Sequence, residues 1–242
     1  MDRRSFVKLF CLGSAAVGTL AARDVLAAET GAGPRYAMLV DLRRCVGCQS
    51  CTVSCAVENR APLGSFRTTV GEYAIADTAG GRTWIATLPR LCNHCAEPAC
   101  TPVCPVHATY QRKDGIVVID ATKCLGCGFC VQACPYGARF LNRETRTADK
   151  CTFCEHRLAA GLLPACVESC VGGARIFGDL NDPQSLIHRT LAEHKAEVAV
   201  LYPEKKTKPS VYYLNLDAFF ASAADVAAPM AARELTAGGS HA

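Results

Sequence analysis

The apolar positions of this chain fall in short runs separated by charged or turn-forming residues. Residues 36–41, YAMLVD, and 116–120, IVVID, are near-continuous aliphatic stretches that each stop at an aspartate. Their length and composition predict two short strands. Residues 65–90 alternate instead. FRTTVGEYAIAD and RTWIATL flank Gly80 and Gly81, which predicts an inserted hairpin turning at the two glycines, with Trp84 as a packing residue on the second arm. From 181 the pattern becomes helical, with Asp182 as cap, Pro183 as first helical residue, and Ile187, Leu191 and Val198 towards one face. Residues 203–209, PEKKTKP, read as a loop and 211–214, VYYL, as a strand. Beyond 221 the chain is alanine-rich and reads as a loose helix or an unstructured tail. Short strands mixed with short helices place the fold in the α+β class.

The first 28 residues have the layout of an export leader. Arg3 and Arg4 precede Ser5, Phe6, Val7 and Lys8, a modest apolar run extends from residue 9 to 22, and small residues near Ala27 and Ala28 offer a cleavage site. Paired arginines followed by x-Phe-x-Lys point to the twin-arginine route, although Asp2 stands where Ser or Thr is commoner. A leader of the general secretory type or an uncleaved anchor is the alternative. The run is too short and too rich in Gly and Ala for a membrane span, and no later segment is long and apolar enough. Direct membrane insertion is therefore not expected, and attachment would need a partner.

Composition changes the picture in one respect. The chain has 242 residues and a net charge of +4 with no basic stripe, so nucleic acid is not the expected partner. It also has 17 cysteines but only 7% aromatic residues, a thin apolar core for the length. Something bound by cysteine is expected to help hold the fold.

Cys11 lies in the leader, and the others form four quartets. They are Cys45, Cys48, Cys51 and Cys55; Cys92, Cys95, Cys100 and Cys104; Cys124, Cys127, Cys130 and Cys134; and Cys151, Cys154, Cys166 and Cys170. The first and third share the spacing C-x2-C-x2-C-x3-C, 79 positions apart, behind matching lead-ins, YAMLVDLRRC and GIVVIDATKC. This is an internal repeat.

Three chemistries compete for these thiols. Disulfides suit an exported chain, but C-x2-C repeated this densely makes neighbouring sulfurs compete for poor geometry. Zinc suits C-x2-C pairs, which would make the chain a zinc-stapled binding module, yet zinc does not call for a third and fourth cysteine at these spacings. The run C-x2-C-x2-C-x3-C is the bacterial ferredoxin pattern for a [4Fe–4S] cubane. Three closely spaced thiolates take three corners of one cube, while the fourth, expected at the start of a helix, serves the neighbouring cluster. Gly47 and Gly126 supply the positive φ that such a loop needs. Pro105 and Pro135 turn the chain after the last cysteine; Ala56 and Val171 depart from that rule. A cluster assembled in the reducing cytoplasm also fits a leader that exports folded protein.

Four such quartets behind a leader resemble the iron–sulfur electron-transfer (beta) subunits of molybdopterin oxidoreductases of the dimethyl-sulfoxide-reductase type. The resemblance spans residues 35–216 and is carried by RYAMLVDLRRCVGCQSC, LPRLCNHC, DGIVVID and TADKCTFCEHRLAAGLLPACVESCVGGARIFGD. These stretches are most similar to the tetrathionate-reducing branch, with the polysulfide, thiosulfate and arsenate branches also similar. The resemblance implies two ferredoxin-like lobes within 36–180, each holding two [4Fe–4S] clusters. Lobe A would comprise 36–64 and 144–180, lobe B 91–143, with the hairpin 65–90 inserted and 181–242 as a C-terminal extension. It further implies four shared ligand sets: Cys45, Cys48, Cys51 and Cys170; Cys151, Cys154, Cys166 and Cys55; Cys92, Cys95, Cys100 and Cys134; Cys124, Cys127, Cys130 and Cys104. The implied partners are a molybdopterin catalytic subunit and an integral membrane quinol-oxidising anchor, at the periplasmic side of the membrane.

No Ser–His–Asp pattern, nucleotide-binding glycine loop or paired-acid motif is present, so no catalytic residue is predicted. His94 and His156, beside Cys95 and Cys154, read as structural or surface residues before cluster-tuning ones. Arg43, Arg44, Lys123, Arg139, Lys150 and Arg157 lie near quartets, either offsetting the charge of anionic clusters or facing solvent.

Overall fold

The computed structural model describes residues 33–76 and 83–216. The leader, the turn at Gly80 and Gly81, the Trp84 side chain and the tail beyond 221 lie outside the described residues. The chain divides after Gly33, and all the described elements belong to the unit that begins at Pro34.

That unit is α+β, built from small sheets and short helices. Its largest sheet centres on β1, Tyr36–Asp41. β1 runs parallel to β10, Val211–Leu214, with Met38 opposite Val211. On its other side it runs antiparallel to β8, Arg175–Asp179, with Tyr36 opposite Asp179. β9, Val198–Ala199, closes the edge against β10. The continuous apolar reading of β1 has a direct cause, because both of its faces are covered. Met38 and Val40 join one core with Phe177 and Tyr213, while Ala37 and Leu39 join another with Ile187 and Leu214.

The helix expected from Asp182 is α5, and it starts later, at Leu186–Glu193 with Ser185 before it. The Asp182 carboxylate accepts the Gln184 amide at 2.8 Å, and the Ser185 amide bonds the Asp182 carbonyl at 3.0 Å. Asp182 and Pro183 therefore form a tight turn ahead of the helix. Val198 is not on that helix either. It lies in β9, although it packs on the same cluster as Ile187 and Leu191.

Two nine-residue arms, β2 (Thr68–Ala76) and β3 (Thr83–Leu91), pair from Thr68 opposite Leu91 to Ala76 opposite Thr83, as the alternation predicts. Two smaller ladders join β4 (Thr109–Gln111) to β5 (Val117–Ile119), and β6 (Arg139–Leu141) to β7 (Ala148–Lys150). The remaining helices are α1 (Ser50–Glu58), α2 (Phe129–Gln132), α3 (Glu155–Ala159) and α4 (Ala165–Glu168). Cysteines form part of the core itself: Cys51, Cys92, Cys95, Cys151 and Cys166 are buried among its aliphatic and aromatic side chains. Among the described residues no helix is long and apolar enough to cross a membrane.

Candidate metal centres

Each repeat enters its cysteine loop in the same way. The strand ends at an aspartate whose carboxylate accepts an amide two residues on: Asp41 from Arg43 at 3.1 Å, Asp120 from Thr122 at 3.0 Å. These turns deliver Cys45 and Cys124 to the start of their loops. Gly47 and Gly126 follow with φ of 69° and 67°, the left-handed conformation the loop requires. At Gly126 a Cβ would run into the Arg146 carbonyl oxygen, so no other residue fits there.

The fourth cysteine is not at the start of a helix. The third one is: Cys51 and Cys130 are each the second residue of α1 and α2. Cys55 lies inside α1, one turn after Cys51, and Cys134 lies just past the end of α2. A spacing of four puts the two sulfurs on one helix face about 6 Å apart at Cβ. That separation lets neighbouring thiols serve neighbouring groups. It also explains Ala56, since α1 continues to Glu58 and proline there would break it. After Cys104, Cys134 and Cys170 the chain turns instead. His107 bonds the Cys104 carbonyl at 3.2 Å, Gly137 that of Cys134 at 3.3 Å, and Gly173 that of Cys170 at 2.9 Å. The last turn forms without proline, using Gly173 at φ 58°.

Backbone amides point at sulfur throughout. Ala108 donates to Cys104 Sγ at 3.2 Å, Ala148 to Cys124 at 3.4 Å, Phe153 to Cys151 at 3.3 Å and Ala174 to Cys170 at 3.2 Å. At Cys104 burial pushes the thiol up, but the amides of Thr109, Val106 and Ala108 outweigh it and the net shift is downward. Such N–H···S bonds favour thiolate and raise the potential of a bound cluster.

The fold mixes the quartets. Cys45, Cys48 and Cys51 line one cavity together with Cys170 from the fourth quartet. Cys92, Cys95 and Cys100 line another with Cys134 from the third. Burial, then Cys166 and Cys154, pushes the Cys55 thiol up to about 12, and burial, then Cys55 and Cys166, holds Cys151 well above its ordinary value. Asn59 Nδ2 also donates to both Cys55 Sγ at 3.5 Å and Cys154 Sγ at 3.7 Å, which brings these two quartets side by side. Of the remaining set, Cys124 and Cys130 share a small apolar cluster with Val117 and Ala148, Cys127 is exposed, and Cys104 is half-buried.

All sixteen are free thiols. Among the described residues, no three His, Cys, Asp or Glu side chains close on one point as a single ion requires; the thiols surround cavities instead. Burial drives Cys95 up to about 12 as well, with Cys92, Cys100 and Cys134 adding to the rise. Crowded, buried thiols that raise one another fit a polynuclear cationic group, which would hold all of them deprotonated.

The basic residues divide sharply. Arg139 and Lys150 are buried, Arg139 Nη2 donating to Cys100 Sγ at 2.8 Å and Lys150 Nζ to the Cys151 and Val117 carbonyls. Arg43 and Lys123 are exposed beside Asp41 and Asp120, and Arg157 pairs with Glu58 and Glu168. The Arg44 guanidinium lies over Gly173. One buried cation escaped the sequence reading: Arg175 donates to Cys51 Sγ at 3.4 Å and Cys166 Sγ at 3.6 Å. The signal was present, for CPYGAR at 134–139 repeats as CVGGAR at 170–175. His94 is fully buried; its Nδ1 accepts the Val117 amide at 3.1 Å and its ring lies 3.8 Å from that of Phe153. His156 is exposed against Glu58.

The description "4Fe-4S dicluster domain" matches residues 83–180, which contain the last three quartets. The chain is 63% identical over 186 residues to the B component of tetrathionate reductase from Salmonella typhimurium, an alignment covering 77% of this chain and 74% of that one. The chain belongs to the iron–sulfur subunits of the dimethyl-sulfoxide-reductase type. Two further members are also similar. The B component of tetrathionate reductase from Archaeoglobus fulgidus is 47% identical over 184 residues, covering 76% of this chain and 84% of that one. The putative dimethyl sulfoxide reductase iron–sulfur subunit of Halobacterium salinarum is 41% identical over 209 residues, covering 74% and 79%. As a member of this family with a 4Fe-4S dicluster domain, the chain is an iron–sulfur electron-transfer subunit.

Proposed function

We propose that this subunit carries four [4Fe–4S] clusters and relays electrons to a molybdopterin catalytic subunit that reduces tetrathionate to thiosulfate. The mixing of quartets carries the cluster count. Cavities lined by three cysteines of one quartet and the last of another are the arrangement that shared cubane ligation needs. The ligand sets are Cys45, Cys48, Cys51 and Cys170; Cys55, Cys151, Cys154 and Cys166; Cys92, Cys95, Cys100 and Cys134; and Cys104, Cys124, Cys127 and Cys130. Two sets fall in each of two ferredoxin-like lobes. Each bound cluster would supply one-electron redox chemistry.

The residues of the chain do the rest. β1 and β5 set the first thiol of each loop, Gly47 and Gly126 let the backbone wrap closely, and Ala108, Ala148 and Ala174 direct amides at sulfur. Val70, Leu88, Phe153 and Tyr213 close the core against water beside the inner thiols. No substrate-binding group is needed here.

The 63% identity supports the tetrathionate branch, and the leader supports twin-arginine export to the periplasm. Relatives that are single components of larger reductases support two partners: the molybdenum subunit and an integral membrane subunit that oxidises quinol. Anaerobic purification of the tagged subunit from its native host tests the reading. Molybdenum and reduced-viologen oxidation with tetrathionate are expected to co-purify. Turnover with polysulfide, thiosulfate or arsenate but not tetrathionate would move the chain to another branch, and absence of molybdenum would overturn the partner assignment.

A further inference from the structure

We propose that Arg139 and Arg175 are positioning residues that each bridge the two cluster sites of one lobe and hold both potentials up together. This rests on the four-cluster reading above.

The two arginines are repeat equivalents. Each lies five residues after the last cysteine of a quartet, in C-x4-R, and each opens a strand, β6 or β8. Both are 4% exposed. Both are pinned by a threonine hydroxyl, Arg139 Nη1 to Thr109 Oγ1 at 3.2 Å and Arg175 Nη2 to Thr68 Oγ1 at 2.8 Å.

Other donors of each guanidinium go to sulfur. Arg175 Nη2 reaches Cys51 at 3.4 Å and Nη1 reaches Cys166 at 3.6 Å and Met38 Sδ at 3.7 Å. Cys51 and Cys166 belong to the two different sets of lobe A. Arg139 Nη2 reaches Cys100 at 2.8 Å, and its charge also acts on Cys92 and Cys130. Cys100 and Cys130 belong to the two different sets of lobe B. A planar fork of fixed donors spans both sites in a way a single ammonium does not.

Charge explains why the fork must be there. A guanidinium does not deprotonate in a protein, and a buried one without an anion is heavily penalised. Among the described residues neither Arg139 nor Arg175 has a carboxylate within ion-pair range. The negative charge these two cations require is therefore supplied by the thiolates around them. An added electron increases that negative charge, so each arginine favours the reduced state of both sites it touches. Because one residue serves two sites, one substitution acts on both.

The test is an EPR-monitored redox titration of the anaerobically purified complex, with iron and sulfide counted alongside. Arg175→Gln is expected to lower two of the four potentials and Arg139→Gln the other two. Each shift is about tenfold in the oxidised-to-reduced ratio, or about 59 mV. Arg→Lys at either site is expected to restore part of the shift. Thr68→Val and Thr109→Val leave the guanidinium in place but unpinned, and are expected to lower the same pairs by less. They carry the test if a Gln variant fails to assemble. Unchanged potentials with full cluster content, or a shift in one cluster only, or an equal shift in all four, would overturn the proposal. Wild-type protein lacking sulfide would instead remove the four-cluster reading beneath it.

Discussion

The first and third quartets have the same cysteine spacing, the same aspartate-capped entry and the same left-handed glycine, yet they rest on different supports. β1 lies between β8 and β10 in a four-stranded sheet with both faces buried, whereas β5 pairs with β4 alone. The loop after β1 leans on the hairpin, where the Thr87 hydroxyl bonds the Cys45 carbonyl at 3.2 Å. The loop after β5 leans on Arg146, whose carbonyl fills the space beside Gly126. Local geometry at the thiols is thus set by the repeated motif, and rigidity is supplied by whatever the rest of the chain packs behind it.

Paired substitutions sharpen this contrast. Gly126→Ala meets backbone as well as an unfavourable φ and is expected to cost about 4 kcal/mol. Gly47→Ala shares the φ but meets only a Thr87 methyl at 3.1 Å, and is expected to cost about 1 kcal/mol. Loss of cluster absorbance in denaturant reads both; equal costs would break the comparison. Next comes the strand. Leu39 is fully buried and Ile119 only partly, so Leu39→Ala is expected to cost about 3 kcal/mol and Ile119→Ala about 1 kcal/mol by the same assay.

These pairs also mark what was legible in the residues alone. The strands at 36–41, 117–119 and 211–214, the hairpin arms and the left-handed glycines at 47 and 126 follow from local pattern, and the structure has them where that pattern puts them. The cross-sheet position of β10 does not, because VYYL carries no sign of which strand it will join. Asp182 misleads for a related reason: an aspartate followed by proline suits a tight turn as well as a helix cap. Among the site residues, quartet spacing marked every cysteine now found lining a cavity. It did not mark Arg175, although Arg175 stands as far from Cys170 as Arg139 does from Cys134. Lys123 and Arg43 met that criterion and face solvent.

Smaller effects separate the two repeats by pH and by surface charge. Burial holds the Tyr213 phenol above its ordinary value near 10. Above pH of about 10 the unfolded chain therefore loses this proton first, so stability is full below that pH and falls as pH rises further. Tyr213→Phe is expected to flatten that alkaline fall in a denaturation series. At neutral pH it is expected to cost about 1 kcal/mol through the lost bond to the Pro89 carbonyl at 2.9 Å. An unchanged alkaline profile would show that the buried Tyr213 phenol does not carry this dependence. The smallest effect belongs to Lys123→Gln. Exposed and paired with Asp120 at 3.3 Å, Lys123 is expected to leave every potential unchanged in a redox titration.

The most direct test of the account is the iron and acid-labile sulfide content of the anaerobically purified chain, measured beside its Cys55→Ser variant. Four clusters with shared ligands predict about 16 iron and about 16 sulfide per wild-type chain. They also predict that the variant loses the signal of the cluster held by Cys151, Cys154 and Cys166, and keeps the signal of the Cys45, Cys48 and Cys51 site in its own loop. Zinc without sulfide, or a variant that loses the cluster of its own loop instead, would contradict it.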